Sequence, residues 1–253
     1  MNVFITGASS GIGAALARQF AARGATLGLL ARRAETLDAL AAQLPGRHRR
    51  YAVDVTDRAR LIEAAGDFER ASGGADVVIA NAGISVGALT EHAEDLPVFE
   101  RVLHTNLLAA VDTFHPFVAP MRRRGRGTLA GIASVAGVRG LPGAGAYCAS
   151  KAALISYCES LRVELRGSGV RVVTIAPGFI ETPMTAGNPY PMPFLMDVDR
   201  FAREAASAIL RGDSYRVIPW QMAWLARVLR LLPNWAFDRA LQGRAHKPRA
   251  TGR

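Results

Sequence analysis

The chain has 253 residues, half of them hydrophobic, which suits one well-buried core and argues against disorder over the whole length. The formal net charge of +10 raises the question of a nucleic-acid or membrane partner, but nearly all of it comes from scattered arginines, since the only lysines are Lys151 and Lys247. We therefore expect an arginine-rich solvated surface and no nucleic-acid partner.

Short apolar segments alternate with helical segments along the chain. Strands are predicted at residues 3–5, 26–31, 51–53, 76–80, 127–133 and 171–176, and helices up to residue 23 and at about 35–44, 57–71, 98–123 and 146–166. Continuous apolar strands separated by helices predict a parallel, doubly wound α/β sheet with helices on both faces. We expect a single domain at residues 1–243 and a basic tail at 244–253, which should fray.

The sequence also bears on the compartment. The first apolar run leads directly into a glycine loop, so no signal peptide is expected, and no run of ~20 uncharged apolar residues predicts a membrane span. On one helix, Cys148 and Cys158 would lie about 15 Å apart, too far for a disulfide. These features predict a cytoplasmic protein with free thiols.

A glycine-rich loop joins the first predicted strand to the first predicted helix. Glycines there let the backbone approach a pyrophosphate and let the helix pack against the strand. The Gly-x-x-x-Gly-x-Gly spacing differs from the general dinucleotide fingerprint, and a plain turn of small residues is the alternative. The position at the first strand of an α/β chain favours a nucleotide site. The loop residues expected at the cofactor are Gly7, Ser9, Ser10, Gly11, Ile12 and Gly13.

The end of the second strand predicts which nicotinamide cofactor is used. An acidic residue there would accept a hydrogen bond from the ribose 2′-hydroxyl, whereas arginine neutralises a 2′-phosphate. Here Arg32 and Arg33 follow Ala31, with no carboxylate. The sequence therefore favours NADP over NAD. At least one of the two arginines could still be simple surface charge.

Tyr147 and Lys151 are the candidate catalytic pair. Four residues apart on a helix, the two side chains share a face. A neighbouring cation stabilises phenolate and is expected to lower the pKa of Tyr147 toward neutrality, which suits a proton donor and acceptor. The alternative is a chance pair on an exposed helix.

Polar residues also follow two further strands. Ser134 comes at the end of the fifth strand, and Asn81-Ala82-Gly83 comes after the fourth. Active sites of such sheets lie at the carboxyl ends of the strands. We expect Ser134 to hydrogen-bond a substrate carbonyl while Tyr147 donates a proton.

Taken together, these features make the chain resemble the short-chain dehydrogenase/reductase family over residues 3 to about 182. The motifs are Thr6-Gly7-x-x-x-Gly11-x-Gly13, Asn81-Ala82-Gly83, Asn106, Ser134, Tyr147-x-x-x-Lys151 and Pro177-Gly178-x-x-x-Thr182. The resemblance implies a Rossmann-type sheet of seven parallel strands, with residues 215–218 as the last strand. Ala80 departs from the pattern, since the family often has a second asparagine there, but alanine should pack without loss of chemistry.

The resemblance also implies roles for individual residues. Tyr147 would be the general acid in reduction and the base in oxidation, and Lys151 would bind the nicotinamide ribose. Ser134 would orient the substrate oxygen, and Asn106 would hold a water that relays protons to Lys151. The resemblance also implies contacts to each part of the cofactor. Asp54 and Val55 would flank the adenine, and Asn81, Ala82 and Gly83 would line the adenosine ribose. Ile180 and Thr182 would contact the nicotinamide, together with Pro177 and Gly178 of the same motif. No metal is expected.

Residues 183–242 are expected to form the substrate loop and a C-terminal helical region. Met184, Met192 and Met196, together with aromatic residues, suggest an adaptable apolar lid, although the loop could simply pack on a neighbouring helix. Residues 219–241 hold all three tryptophans in an amphipathic basic segment broken near Pro233. That segment could cover the pocket, contact another subunit or lie on a membrane.

We therefore expect an NADP-dependent oxidoreductase acting on a carbonyl or secondary alcohol, with an apolar substrate and a homodimeric or homotetrameric assembly. A membrane-surface enzyme acting on lipid-like substrates is compatible with this. A non-catalytic nucleotide-sensing or scaffolding protein on the same fold is the alternative from another class. The presence of both Tyr147 and Lys151 argues against it.

Overall fold

A computed structural model describes residues 1–243, 245 and 247–249. Within them, one sheet of seven parallel strands runs in the order β3-β2-β1-β4-β5-β6-β7. The strands are β1 (Asn2–Thr6), β2 (Thr26–Ala31), β3 (Arg49–Ala52), β4 (Val77–Ala80), β5 (Gly127–Ile132), β6 (Val170–Pro177) and β7 (Tyr215–Ile218). The strand order reverses at β1, which pairs with both β2 and β4. Ligands of such sheets bind in the crevice at this reversal.

Helices cover both faces of the sheet, as the sequence predicts. They are α1 (Gly11–Ala21), α2 (Ala34–Gln43), α3 (Arg58–Ser72), α4 (Leu96–Leu103), α5 (Ala109–Arg124), α6 (Gly145–Glu164), α7 (Val198–Arg211), α8 (Trp220–Leu231) and α9 (Asn234–Leu241). No helix in the described part of the chain is both long and apolar enough to span a bilayer.

Two hydrophobic cores lie on opposite sides of the sheet. Because successive side chains of a strand point to opposite faces, Ile5 joins one core and Phe4 the other. Ile5 belongs with the α1 and α7 side chains, including Phe201. The Phe4 ring lies 5.5 Å from Phe68 and 5.3 Å from Phe117, centre to centre. The strand is thus buried on both faces and fixes the start of the glycine loop.

Two helical regions differ from the sequence prediction. The single helix expected at 98–123 is interrupted by a π-helical turn, His104–Leu108, which separates α4 from α5. Helix α7 lies in the region 183–242, where a substrate loop and C-terminal helices are expected, but its bounds are not predicted, although Phe201, Ala205 and Ile209 repeat at helical spacing and are fully buried. The other predicted elements are found with boundary shifts of at most two residues.

The described part of the tail is bound rather than frayed. The Gly87 amide donates to the Pro248 carbonyl oxygen at 3.2 Å. The Arg249 guanidinium pairs with the 2%-exposed Asp95 at 2.7 Å and with Glu94 at 2.9 Å. Gly87 permits this approach, because a Cβ there would clash with the Lys247 carbonyl and lie 2.6 Å from that of Pro248. The expectation of a frayed tail is therefore wrong for residues 247–249, because Arg249 anchors this segment through Asp95 and Glu94.

Candidate active site

Helix α6 brings the phenol and the ammonium together. Tyr147 and Lys151 lie one turn apart, with the Lys151 Nζ atom 5.8 Å from the centre of the Tyr147 ring. Lys151 is 5% exposed, and its ammonium donates a hydrogen bond of 2.8 Å to the Ile132 carbonyl oxygen. The end of strand β5 therefore holds the lysine in position.

Burial controls the pKa values of both groups. It lowers the pKa of Lys151 to about 8. It raises the pKa of Tyr147 above the ordinary 10.0, against the opposing effect of a hydrogen bond with Ser134. The expectation of a lowered tyrosine pKa is therefore wrong for this structure, because desolvation of the phenol dominates and the ammonium is directed at Ile132. The phenol is protonated at neutral pH, the form that can donate a proton.

Ser134 lies at the carboxyl end of β5, as predicted. It is 7% exposed, and its hydroxyl accepts a hydrogen bond of 3.1 Å from the Ala136 amide. That bond opens a short 3-10 turn and fixes the serine rotamer. The same hydroxyl interacts with Tyr147, so the two hydroxyl groups are adjacent in the cleft.

The π-helical turn directs Asn106 into the interior. Its side-chain oxygen accepts from the Ile84 amide at 2.8 Å, and its nitrogen donates to the Ile84 carbonyl and the Ser150 hydroxyl at 2.9 Å each. A π-turn at such a position is frequent in functional sites. These bonds tie the loop after β4 to helix α6.

Gly83 lies beside both Asn106 and Lys151. A Cβ built on Gly83 would be 3.2 Å from the Asn106 Oδ1 atom and 3.5 Å from the Lys151 Nζ atom. A carbonyl oxygen can accept two hydrogen bonds, so Asn106 keeps capacity for one more. Glycine at position 83 therefore lets the two polar atoms lie close to the same stretch of backbone.

The glycine loop packs directly against the segment after β4. The Asn81 side chain donates to the carbonyl oxygens of Thr6 at 3.0 Å and Gly7 at 3.2 Å. A Cβ on Gly13 would clash with the Gly7 carbonyl oxygen and lie 2.6 Å from the Asn81 Nδ2 atom. Glycine at position 13 is thus required for helix α1 to begin this close to the strand end.

The two arginines after β2 project into the open part of the cleft. The Arg32 side chain is 72% exposed, and its Nη1 atom lies 3.9 Å from an Asp54 carboxylate oxygen. Burial alone would raise the pKa of Asp54, but hydrogen bonds from Thr56 and the charge of Arg32 outweigh it and lower that pKa. Arg33 precedes α2 and is also exposed.

Nearly all the predicted site residues line one cleft of about 670 Å³. They are Gly7, Ser9, Ser10, Gly11, Ile12, Arg32, Arg33, Asp54, Val55, Asn81, Ala82, Gly83, Ser134, Tyr147, Lys151, Pro177, Gly178, Ile180 and Thr182. Gly13 and Asn106 lie behind this lining. Sequence reasoning missed Arg101 and Thr105 of the α4 region, since no motif marks them.

The structure agrees only in part with the predicted apolar lid in the substrate loop. Met184 is 40% exposed and lines the cleft, whereas Met196 is 6% exposed and belongs to the core beside α7. Met196 is therefore not part of a mobile lid. Tyr190 packs against Phe179 with the rings tilted by 56° and their centres 6.4 Å apart, and its phenol is close enough to raise the pKa of Tyr147. One face of the loop therefore lies beside Tyr147.

No group of three or more histidine, cysteine, aspartate or glutamate side chains suited to a metal occurs among the described residues.

Comparison with known proteins decides the family. The sequence profile described as "short chain dehydrogenase" matches residues 1–190 of the 253. This chain belongs to the short-chain dehydrogenase family. Members use a nicotinamide cofactor, NAD or NADP. The cleft of this short-chain dehydrogenase fits such a group, because its glycine cradle leaves backbone room for a pyrophosphate and its rim carries cationic side chains.

Three relatives illustrate the similarity. An uncharacterized oxidoreductase of Myxococcus xanthus (strain DK1622) is 43% identical over 245 residues, covering 94% of this chain and 95% of that protein. A protein named 3-oxoacyl-(acyl-carrier-protein) reductase from Thermotoga maritima is 38% identical, covering 72% and 74%. The solved structure of levodione reductase is similar with a TM-score of 0.78 and 26% identity, covering 88% and 97%.

Proposed function

We propose that this short-chain dehydrogenase transfers a hydride between NADP(H) and a carbonyl or secondary alcohol of an apolar substrate. The observation that carries the proposal is that Tyr147, Ser134 and Lys151 line the same cleft as the glycine loop and the two exposed arginines. The proton donor and the cofactor cradle are thus side by side. We further propose that the protein works in the cytoplasm as a homo-oligomer.

The cofactor would be held by groups spread along the cleft. The Gly7–Gly13 loop would accept the pyrophosphate, and Arg32 and Arg33 would pair with the 2′-phosphate. Asp54 and Val55 would flank the adenine, Asn81, Ala82 and Gly83 the adenosine ribose, and Pro177, Gly178, Ile180 and Thr182 the nicotinamide. When bound, the nicotinamide supplies the hydride in reduction and accepts it in oxidation.

Side chains of the protein would donate the proton to the substrate and restore it afterwards. Tyr147 is protonated at neutral pH, so it would donate its proton to the carbonyl oxygen while the Ser134 hydroxyl orients that oxygen. Lys151 would bind a ribose hydroxyl and stabilise the phenolate that results. Asn106, whose side-chain oxygen can accept one more hydrogen bond, would hold a water from which Lys151 and then Tyr147 are reprotonated.

Two features support an apolar carbonyl substrate. Met184 lines the cleft, and Tyr190 approaches Tyr147 with Phe179 beside it. Two relatives are named as reductases, one of a 3-oxoacyl carrier substrate and one of levodione. A reductase of apolar ketones is therefore favoured over a non-catalytic nucleotide sensor.

A kinetic screen tests this function. The purified protein is assayed for NADPH and NADH oxidation against 3-oxoacyl thioesters, cyclic ketones and small polar ketones. We expect turnover with NADPH and the highest kcat/KM among the apolar ketones. NADPH binding without turnover of any carbonyl, or of any alcohol in the reverse direction, would indicate a sensor instead. A preference for small polar ketones would contradict the apolar substrate.

A further inference from the structure

Helices α8 and α9 present a row of large apolar side chains to solvent. Trp220, Trp224, Val228 and Leu231 repeat at intervals of four, four and three residues, so they share one face of α8. Their exposed fractions are 63%, 60%, 54% and 83%. Trp235 of α9 is 74% exposed. We call these five residues the tryptophan stripe.

The stripe cannot turn inward, because the other face of α8 is already buried. Met222 is 4% exposed and Ala226 is 7% exposed. A Cβ on Gly178 would lie 2.6 Å from the Met222 side chain, so α8 is packed directly on the loop after β6. Helix α8 therefore has one apolar face that packs on the domain and a second apolar face that is exposed to solvent.

Arg139 fixes the corner between the two helices. Its guanidinium donates to the carbonyl oxygens of Leu229 and Leu232, and to the Asn234 side chain at 2.9 Å. It also stacks 3.8 Å above the centre of the Phe237 ring. Trp235 is consequently held on a preformed surface with α8, and no ordering is needed before binding.

The charge around the stripe points to an anionic partner. Helices α8 and α9 together contain three arginines, Arg227, Arg230 and Arg239, and one carboxylate, Asp238, so this surface carries a net positive charge. The Arg227 guanidinium lies 5.4 Å from the centre of the Trp224 ring, at the edge of the stripe. A second copy of the chain is less well matched, because a two-fold contact would bring together two surfaces that each carry three arginines and only one carboxylate, Asp238.

We propose that the tryptophan stripe docks this protein on the surface of an anionic lipid bilayer. Tryptophan suits the interface between headgroups and acyl chains, and arginine at the rim pairs with anionic headgroups. Helix α8 has 12 residues, too few to span, so the contact lies in the plane of the membrane. This docking does not depend on the proposed reaction.

The tryptophans themselves supply the test. All three tryptophans of the chain, Trp220, Trp224 and Trp235, belong to the stripe, so intrinsic tryptophan emission reports on this surface alone. The full-length protein is titrated at low salt with vesicles of phosphatidylcholine containing about a third phosphatidylserine. We expect a blue shift, protection from iodide quenching and co-flotation, all weakened by added salt. Pure phosphatidylcholine vesicles should bind at least about tenfold more weakly.

Matched variants distinguish vesicle binding through the tryptophan stripe from nonspecific hydrophobic adsorption. Trp220→Gln/Trp224→Gln is compared with Leu96→Gln/Val163→Gln, which removes two exposed apolar side chains elsewhere. Arg227→Glu is compared with Arg162→Glu, an exposed arginine on α6. We expect each stripe variant to lower the vesicle partition coefficient at least about tenfold and each control to leave it within about twofold.

Three outcomes would overturn the proposal. They are no binding to anionic vesicles at low salt, equal loss in the control variants, and an assembly that already covers the stripe. The last is measured by light scattering at several protein concentrations. Dissociation of an oligomer in Trp220→Gln/Trp224→Gln, but not in Leu96→Gln/Val163→Gln, would assign the stripe to a second copy of the chain.

Discussion

The Lys151 ammonium donates its hydrogen bond to the carbonyl oxygen of Ile132, two residues before Ser134. This bond joins helix α6 to the end of strand β5. It sets the positions of Tyr147, one turn before Lys151, and of Ser134 relative to each other. The proposed catalytic side chains are therefore positioned by a contact between the elements that carry them.

Removal of the Tyr147 hydroxyl should abolish proton donation and leave cofactor binding intact. We expect Tyr147→Phe to lower kcat at least about a hundredfold, the contribution of a positioned general acid. NADPH affinity, measured by fluorescence titration, should change less than about threefold. Tyr157→Phe on the same helix is the control, since Tyr157 stacks on Phe114 away from the cleft. Turnover retained by Tyr147→Phe would overturn the proposed role.

The buried lysine should make stability depend on pH. Burial lowers the pKa of Lys151 from 10.5 to about 8 in the folded chain. Between those values the unfolded chain binds a proton that the folded chain does not. The free energy of unfolding should therefore rise with pH, by up to about 1.4 kcal/mol per pH unit from this group.

Lys151→Met isolates that contribution in urea unfolding followed across this pH range. Burial raises the pKa of Cys158 to about 11, which lowers stability as pH rises above about 9 in both proteins and largely cancels in the comparison. We expect the difference in unfolding free energy, wild type minus variant, to increase with pH. A difference that is flat or decreasing would mean that Lys151 keeps an ordinary pKa.

The arginines after β2 should determine the choice of cofactor. Each charge-assisted hydrogen bond to a phosphate contributes about 1.5–3 kcal/mol. Arg32→Ala/Arg33→Ala should therefore raise the KM for NADPH at least about tenfold, while the KM for NADH changes less than about threefold. Arg18→Ala, whose partner is Asp199, serves as the control. Equal affinity of the unmodified protein for NADH and NADPH would already contradict the assignment.

The tail should influence substrate binding more than cofactor binding. The Lys247 ammonium donates to the Met184 carbonyl oxygen at 3.1 Å, and Pro248 lies on Gly87, so this segment joins two edges of the cleft. Arg249→Glu sets a carboxylate against Asp95 and should release the segment. We expect the KM for the carbonyl substrate to rise several-fold, with NADPH affinity and the thermal midpoint nearly unchanged. Arg200→Glu, at an exposed pair on α7, is the control.

Much of the site could be predicted from the sequence, because its residues stand at strand ends within short motifs. Once β1, β4 and β5 are assigned, the parallel order brings Gly7, Asn81 and Ser134 to one edge. Local pattern and the order of elements are sufficient for these three positions. The last strand, residues 215–218, is implied only by the family resemblance, and the structure has it at those bounds.

Other features depend on contacts that local sequence does not show. The turn at Asn106 is maintained by bonds to Ile84 and Ser150, which lie 22 and 44 residues away in the chain. The high pKa of Tyr147 follows from burial that spacing alone cannot reveal. Helix α7, by contrast, could have been predicted, since Asp197 caps it through the Arg200 amide and its buried positions repeat at helical spacing.

The pairing of Arg249 with Asp95 also has a consequence for biosynthesis. The two residues are 154 positions apart, so Asp95 stays without this counter-ion until the ribosome has made the chain as far as residue 249. The rest of the sheet, through Ile218, is complete well before then. The Arg249–Asp95 contact is thus non-local, and we expect it to form after the contacts within the sheet during folding.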